Sequence, residues 1–243
     1  GDEVADANAL ADFLALYQEG HALVADGTDA VVLQVGSNDW PMPVPIVKRD
    51  GKWYLDGAAG VDEIVYRRIG RNELGAIAVS RGFVDAQMDY AADGHDGNPP
   101  GLFAAKLRSD PGQQNGLYWP STQGESQSPI GAAVAKAAAE GYRSVAGKRL
   151  PYHGYYYRML YGQGPAAAGG EADYYVDGVL AQGVALIAWP AEYGVSGVMT
   201  FMVNHDGNVF QKDLGEDTAK AADSIEVFDP DSTWSKVEPD EDS

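Results

Sequence analysis

Cysteine is absent from the 243-residue chain, which excludes disulfides, thiolate nucleophiles and cysteine-held metals. That absence does not fix the compartment, since cytosolic and envelope proteins alike can lack it. Basic residues are scarce: 17 Lys and Arg face 36 Asp and Glu, for a formal net charge of −19. A field of that sign repels phosphate backbones and anionic lipid surfaces, so nucleic acid and anionic membrane are not expected as partners. Long apolar runs are also missing, and no segment is expected to span a bilayer. Histidine occurs at His21, His95, His153 and His205 only, with no two at metal-ligand spacing, and no Gly-x-Ser-x-Gly motif is present. Neither a metal nor another cofactor is therefore expected.

What is there suits a folded protein. Hydrophobic residues make up 45% of the chain, enough to fill the core of one large domain or two small ones. The chain opens on Gly1 and an acidic stretch instead of Met, which reads as a start from which a leading segment has been removed.

Leu10, Phe13, Leu14 and Tyr17 fall at helical spacing, with Asn8 as the expected N-cap and Gly20 as the stop. Strands are expected over Val31–Val35, Val44–Val47 and Lys52–Leu55, the last two joined by the hairpin signal Asp50-Gly51. The proline-rich Trp40–Pro45 suits an extended edge and not a central strand. A long helix is expected from Val61 to Ala92, broken at Gly70. Its buried stripe is Leu74, Ile77, Val84, Met88 and Ala91, with Phe83, Gln87 and Tyr90 beside it.

Asp93–Pro100 is a turn cluster, followed by irregular chain with a helical piece over Leu102–Leu107. Ser128-Pro129 has the form of a helix start, and the alanines beyond it carry that helix to about Tyr142. Strands then follow over Gly154–Leu160, Tyr174–Val176, Gly183–Ala188, Gly197–Val203 and Asn208–Lys212, with His205-Asp206-Gly207 closing the last hairpin. The expected class is α+β: an N-terminal helix with a small antiparallel sheet, then a long spine helix on an antiparallel meander. Three parts are expected, 1–60, 61–215 and an acidic segment 216–243. The segment from Asp213 on carries 11 acidic and two basic residues, and Glu238–Ser243 is expected to be disordered.

Three stretches together resemble the bacterial domain-of-unknown-function family numbered 2950: Trp40–Pro45, Arg67–Leu74 and Ala188–Phe201. Asp85-Ala86-Gln87, Gly116–Pro120 and Tyr152–Tyr156 add to the likeness, which covers about residues 9–237. The resemblance implies an exported protein, periplasmic or secreted, and carries no activity or catalytic residues. A second resemblance spans Glu73–Leu214, where Ala86-Gln87, Gly154-Tyr155-Tyr156, Trp189-Pro190 and Asp206-Gly207 match the globular head of type IV pilin-like proteins and pseudopilins. This chain lacks their long apolar assembly helix. The first segment, ending in Gly51–Asp56, is similar to part of a nuclear-transport-factor-type domain.

Tyrosine is concentrated: seven of 14 lie between Tyr152 and Tyr175. In Tyr155-Tyr156-Tyr157, alternation puts neighbouring rings on opposite faces, so at least one is expected at solvent or a groove. These rings, with Trp189 and with His153 at the mouth of the strand, are the candidate ligand-binding residues. A Tyr-rich sheet that merely fills a core is the competing account. Arg67 and Arg71, one helical turn apart, could clamp a carboxylate or phosphate; ion pairs with Glu63, Glu73 or the acidic tail explain them equally. Asn204, Asp206, Asn208 and Asp213, and likewise Asp93, Asp96 and Asn98, offer oxygen ligands for a cation, although simple turns account for both. The function expected is that of a non-enzymatic envelope protein binding a partner or small ligand through its Tyr-rich sheet. The alternative is a hydrolase using Glu192 and Asp85 with His153.

Overall fold

Residues 3–121, 126–140, 142 and 150–238 are described by the computed structural model. The first helix, α1 (Glu3–Glu19), begins upstream of the expected Asn8 cap. Its first turn holds Glu3 and Asp6, the charge that a helix N-terminus favours. Asn8 lies inside it and donates its amide to the Glu140 carbonyl at 3.0 Å. Gly20 ends the helix, its N–H donating to Leu16 O at 3.1 Å.

Five strands follow: β1 (His21–Ala25), β2 (Ala30–Val35), β3 (Trp40–Pro41), β4 (Ile46–Arg49) and β5 (Lys52–Leu55). All pairings are antiparallel, in the order β1-β2-β4-β5, with β3 against the far end of β2. Pro41 occupies that two-residue strand, where a missing donor is tolerated. Asp50 and Gly51 close the β4–β5 hairpin with φ of 52° and 75°, the left-handed pair a type I′ turn needs.

Asp56 caps the long helix α2 (Gly57–Ala92), its carboxylate accepting from the Ala59 N–H at 3.3 Å. With 36 residues, α2 runs without interruption for about 54 Å. The expected break at Gly70 does not occur. One glycine costs only about 1 kcal/mol against alanine, and no proline or capping group accompanies it. The buried stripe is also turned from the expected one: Asn72, Ala76, Ser80, Phe83, Gln87 and Tyr90 are buried, whereas Leu74 is 65% and Met88 45% exposed. Small residues at Ala76 and Ser80 let the helix backbone approach the sheet, a gain that hydropathy alone does not register. Val84 stays buried. Truncating Val84 to Ala should therefore cost about 2 kcal/mol, and Met88→Ala less than about 0.5 kcal/mol, as paired thermal melts would read.

The helical piece expected over Leu102–Leu107 is replaced by irregular chain held by side chains. The helix α3 (Gly131–Ala139) starts after Ile130, so Ser128-Pro129 forms the turn before it and supplies no cap bond. Next come β6 (Tyr155–Leu160), two short hairpin pairs formed by β7 (Gly162–Gln163) with β8 (Ala172–Asp173) and β9 (Tyr175–Val176) with β10 (Val179–Leu180), then β11 (Ala185–Pro190), β12 (Met199–Asn204) and β13 (Val209–Asp213). Two elements in the acidic segment were not expected: α4 (Thr218–Ser224) and β14 (Ser235–Lys236). The second sheet runs β14-β13-β12-β11-β6, antiparallel throughout. Residues 239–243, most of the end expected to be disordered, lie outside the described residues.

Cross-strand partners share a face, so Tyr155, Tyr157, Met159, Leu186, Ala188, Phe201 and Val203 line the side under α2. Tyr156, Arg158, Ile187, Trp189 and Met202 point the other way. There α4 covers them: Arg158 Nη2 donates to the Ala222 and Ile225 carbonyls, both at 2.7 Å, placing a cation at the helix C-terminus. The sheet is thus covered on both faces.

Candidate functional site

A two-residue turn places the central histidine. Tyr152 and Tyr155 exchange backbone hydrogen bonds at 2.9 and 3.1 Å, and His153 and Gly154 between them have φ of 49° and 74°. Glycine is required at the second position for a further reason: a Cβ on Gly154 would lie 2.4 Å from Asn72 Nδ2. That amide donates to Ser196 O at 2.9 Å, fixing the turn between α2 and the loop before β12. His153 is therefore held beside Gly75 of α2, and Tyr142 packs against it edge-on with ring centroids 5.9 Å apart.

Under this turn lies an apolar cleft of about 550 Å³ between α2, α3 and the sheet. Gly75, Ala78, Val79 and Gly82 form its α2 wall, and Ala133, Val134 and Ala137 its α3 wall. Leu107 and Leu117 close one side; Leu186 and Tyr157 form the floor, with Tyr152 and His153 at the mouth. Tyr157 donates its hydroxyl to the Tyr152 carbonyl at 3.4 Å. Burial, reinforced by the neighbouring Tyr152 and Tyr142, holds that hydroxyl well above its ordinary pKa, so the floor stays neutral. Tyr152 is raised likewise, first by burial and then by the Glu140 charge.

A second cavity, about 410 Å³, adjoins the first at His153, which lines both. Its lining is mixed: beside Ala9, Ala11 and Tyr142 stand Asn8 and Asp12 from α1, Arg71 from α2, and Glu140, whose carboxylate lies 4.0 Å from His153 Nε2. Arg71 makes no hydrogen bond or ion pair among the described residues.

The expected site residues therefore divide. Tyr157 and His153 meet at the cleft, with Arg71 close by in the second cavity. Tyr155 is fully buried in the core, donating its hydroxyl to Met199 O at 2.9 Å. Trp189 is 2% exposed and lies beside Tyr156 on the opposite face, with ring centroids 5.9 Å apart. Both rings are taken up in packing. Arg67 is engaged structurally: it donates to Glu63 at 2.6 Å and to the Pro41 carbonyl at 2.7 Å, and lies over the Trp40 ring at 5.1 Å. It makes no clamp with Arg71.

The other candidate constellations are dispersed or engaged. Neither Asp85 nor Glu192 borders a cavity with His153. The Asp206 carboxylate accepts from Asn204 at 2.9 Å, Asp213 accepts from Gly215 N–H at 2.8 Å, and Asp96 accepts from Gln114 N–H at 2.8 Å. No group of three or more acidic or histidine residues that could hold a metal ion occurs among the described residues. No described helix is long and apolar enough to cross a membrane.

The profile of the family described as "Protein of unknown function (DUF2950)" matches residues 1–237. The chain belongs to that family. No curated protein and no solved structure matches it. In this DUF2950 chain, the matched stretch carries every wall of the cleft. The small-residue wall at Gly75, Ala78, Val79 and Gly82 is the part that inspection of apolar residues missed, although its i, i+3, i+4, i+7 spacing is legible in the sequence.

Proposed function

We propose that this protein is a non-enzymatic binding protein of the bacterial envelope that takes an apolar small ligand into the cleft between α2, α3 and the Tyr157 floor. The observation that carries the reading is the cleft itself: about 550 Å³, walled by small and aliphatic residues, with a neutral phenol below and His153 at the mouth. Its size falls within the roughly 300–1,000 Å³ of small-molecule sites, and such a lining binds by removing apolar ligand surface from water. The envelope location follows the family resemblance. The spine helix followed by an antiparallel meander supports the likeness to pilin heads as one of element order.

Gly82 provides the test. A Cβ there meets nothing within 4 Å, so a larger side chain enters the cleft without striking the core. Gly82→Leu should lower affinity for a neutral apolar dye such as Nile red at least tenfold. It should also leave the melting temperature unchanged or higher, because leucine favours a helix by up to about 1 kcal/mol over glycine. Unchanged dye binding in the Gly82→Leu protein would remove the cleft as the site.

A further inference from the structure

We infer that the N-terminal sheet joins copies of this chain head to tail, β5 of one copy pairing antiparallel with β1 of the next. This stands apart from the cleft. Both outer strands of the sheet are unprotected: all five residues of β1 and all four of β5 are exposed. Leu23 is 63%, Trp53 49% and Leu55 61% exposed. Neither strand carries proline, and β1 has no lysine, so the usual protections of an edge against pairing are missing from it.

Topology selects which edges meet. Directions alternate along β1-β2-β4-β5, so β5 runs opposite to β1. A second copy in the same orientation, placed beside the first, therefore presents β1 antiparallel to β5, and the alternation continues unbroken. Full overlap of the four-residue strand on the five-residue strand, with the two faces of the sheet kept in line, sets Lys52 opposite Val24 of the next copy, Trp53 opposite Leu23, Tyr54 opposite Ala22 and Leu55 opposite His21. Aromatic side chains then face aliphatic ones, a favoured cross-strand combination.

Charge selects the same pairing. The β4–β5 turn is basic and the β1–β2 turn acidic. Arg49 is paired with Asp56, and Lys48 lies over the Trp53 ring at 5.9 Å, which leaves Lys52 without a partner among the described residues. The Asp26 carboxylate is likewise unpaired among them. In the overlap above, Asp26 of the next copy is the diagonal neighbour of Lys52 on the same face of the sheet, within reach of its long side chain. Pairing of β1 with a second β1 brings no such opposite charges together, and pairing of β5 with a second β5 brings Lys52 only to Asp56, which Arg49 and the Ala59 N–H already engage. Because the two surfaces differ, the contact repeats, giving open or ring-closed assemblies instead of a single dimer. Moderate salt should strengthen it by screening the repulsion between chains of net charge −19.

Sedimentation velocity over a concentration series tests the interface. The parent protein should form species larger than dimers. Lys52→Glu and Asp26→Lys should each raise the half-assembly concentration about tenfold, and the double charge swap should restore it. With no native cysteine, a Leu23→Cys/Trp53→Cys variant should give a ladder of multimers on oxidation, while each single variant stops at dimers. A protein that stays monomeric at all concentrations, a closed dimer indifferent to both charge changes, or an oxidised double variant without a ladder would overturn the proposal.

Discussion

Replacing Gln87 with Leu is expected to destabilise the protein by about 2–5 kcal/mol, despite the near-equal size of the two side chains. Gln87 is fully buried on α2, and its amide bonds the backbone of Ala104 in both directions, accepting from the N–H at 2.8 Å and donating to the C=O at 3.0 Å. Ala104 is itself fully buried, so after the change neither backbone group can turn to water. Each orphaned group costs about 1–3 kcal/mol. The loss should be local as well as global, since this amide is what holds irregular chain 101–118 to the helix. Hydrogen exchange in that segment should rise more than in β11 and β12. Because the segment brings Leu107 and Leu117 to the cleft, apolar dye binding should weaken in the same variant. A urea midpoint equal to the parent's would show that Gln87 is not the tie described.

Adding a single methyl group at Gly197 should cost about 3 kcal/mol, the upper part of the range for overpacking. A Cβ there would sit 2.2 Å from Tyr155 Oη, 2.6 Å from Cζ and 2.7 Å from Cε2. The ring cannot retreat: it is fully buried, lies beside Phe201 with centroids 5.9 Å apart, and its hydroxyl is bonded to Met199 O. Tyr155→Phe should cost only about 1–2 kcal/mol, through loss of that bond. It should not rescue Gly197→Ala, because two ring carbons remain in the way. For a chain of this length, about 3 kcal/mol lowers the melting temperature by roughly 6–12 °C, well within calorimetric resolution.

Much of the architecture was legible because local chemistry and fold agree. Asp50-Gly51 specified its hairpin, Asp206-Gly207 its own, and the short, largely apolar runs of β11 and β12 their strands. The α2 stripe was misplaced because apolar residues were weighted over small ones, so Leu74 and Met88 displaced Ala76 and Ser80 in the reading. The same bias hid the Gly75–Gly82 wall of the cleft. Among the candidate site residues, Tyr157, His153 and Arg71 border the adjoining cavities, whereas the sequence gives no hint that Tyr155 and Trp189 are consumed by the core. Alternation tells which rings share a face; it does not tell that α4, in the acidic segment, covers the second face. That contact depends on Arg158 reaching two carbonyls more than sixty residues away in the chain, and no local pattern encodes it.

The unequal embedding of α2 means that one continuous helix has no single stability. Its C-terminal half opens only when the second sheet does, since Phe83, Gln87 and Tyr90 are locked into that core. Nearer its start it exposes Val61, Ile64 and Tyr66, and its neighbours are a sheet whose outer strands are solvated. Opening there disrupts few buried contacts. The native state is thus a ladder of partly open forms in which the helix frays from its first turns toward the cleft, and any ligand gripping Gly75 to Gly82 holds the boundary between the part that breathes and the part that does not.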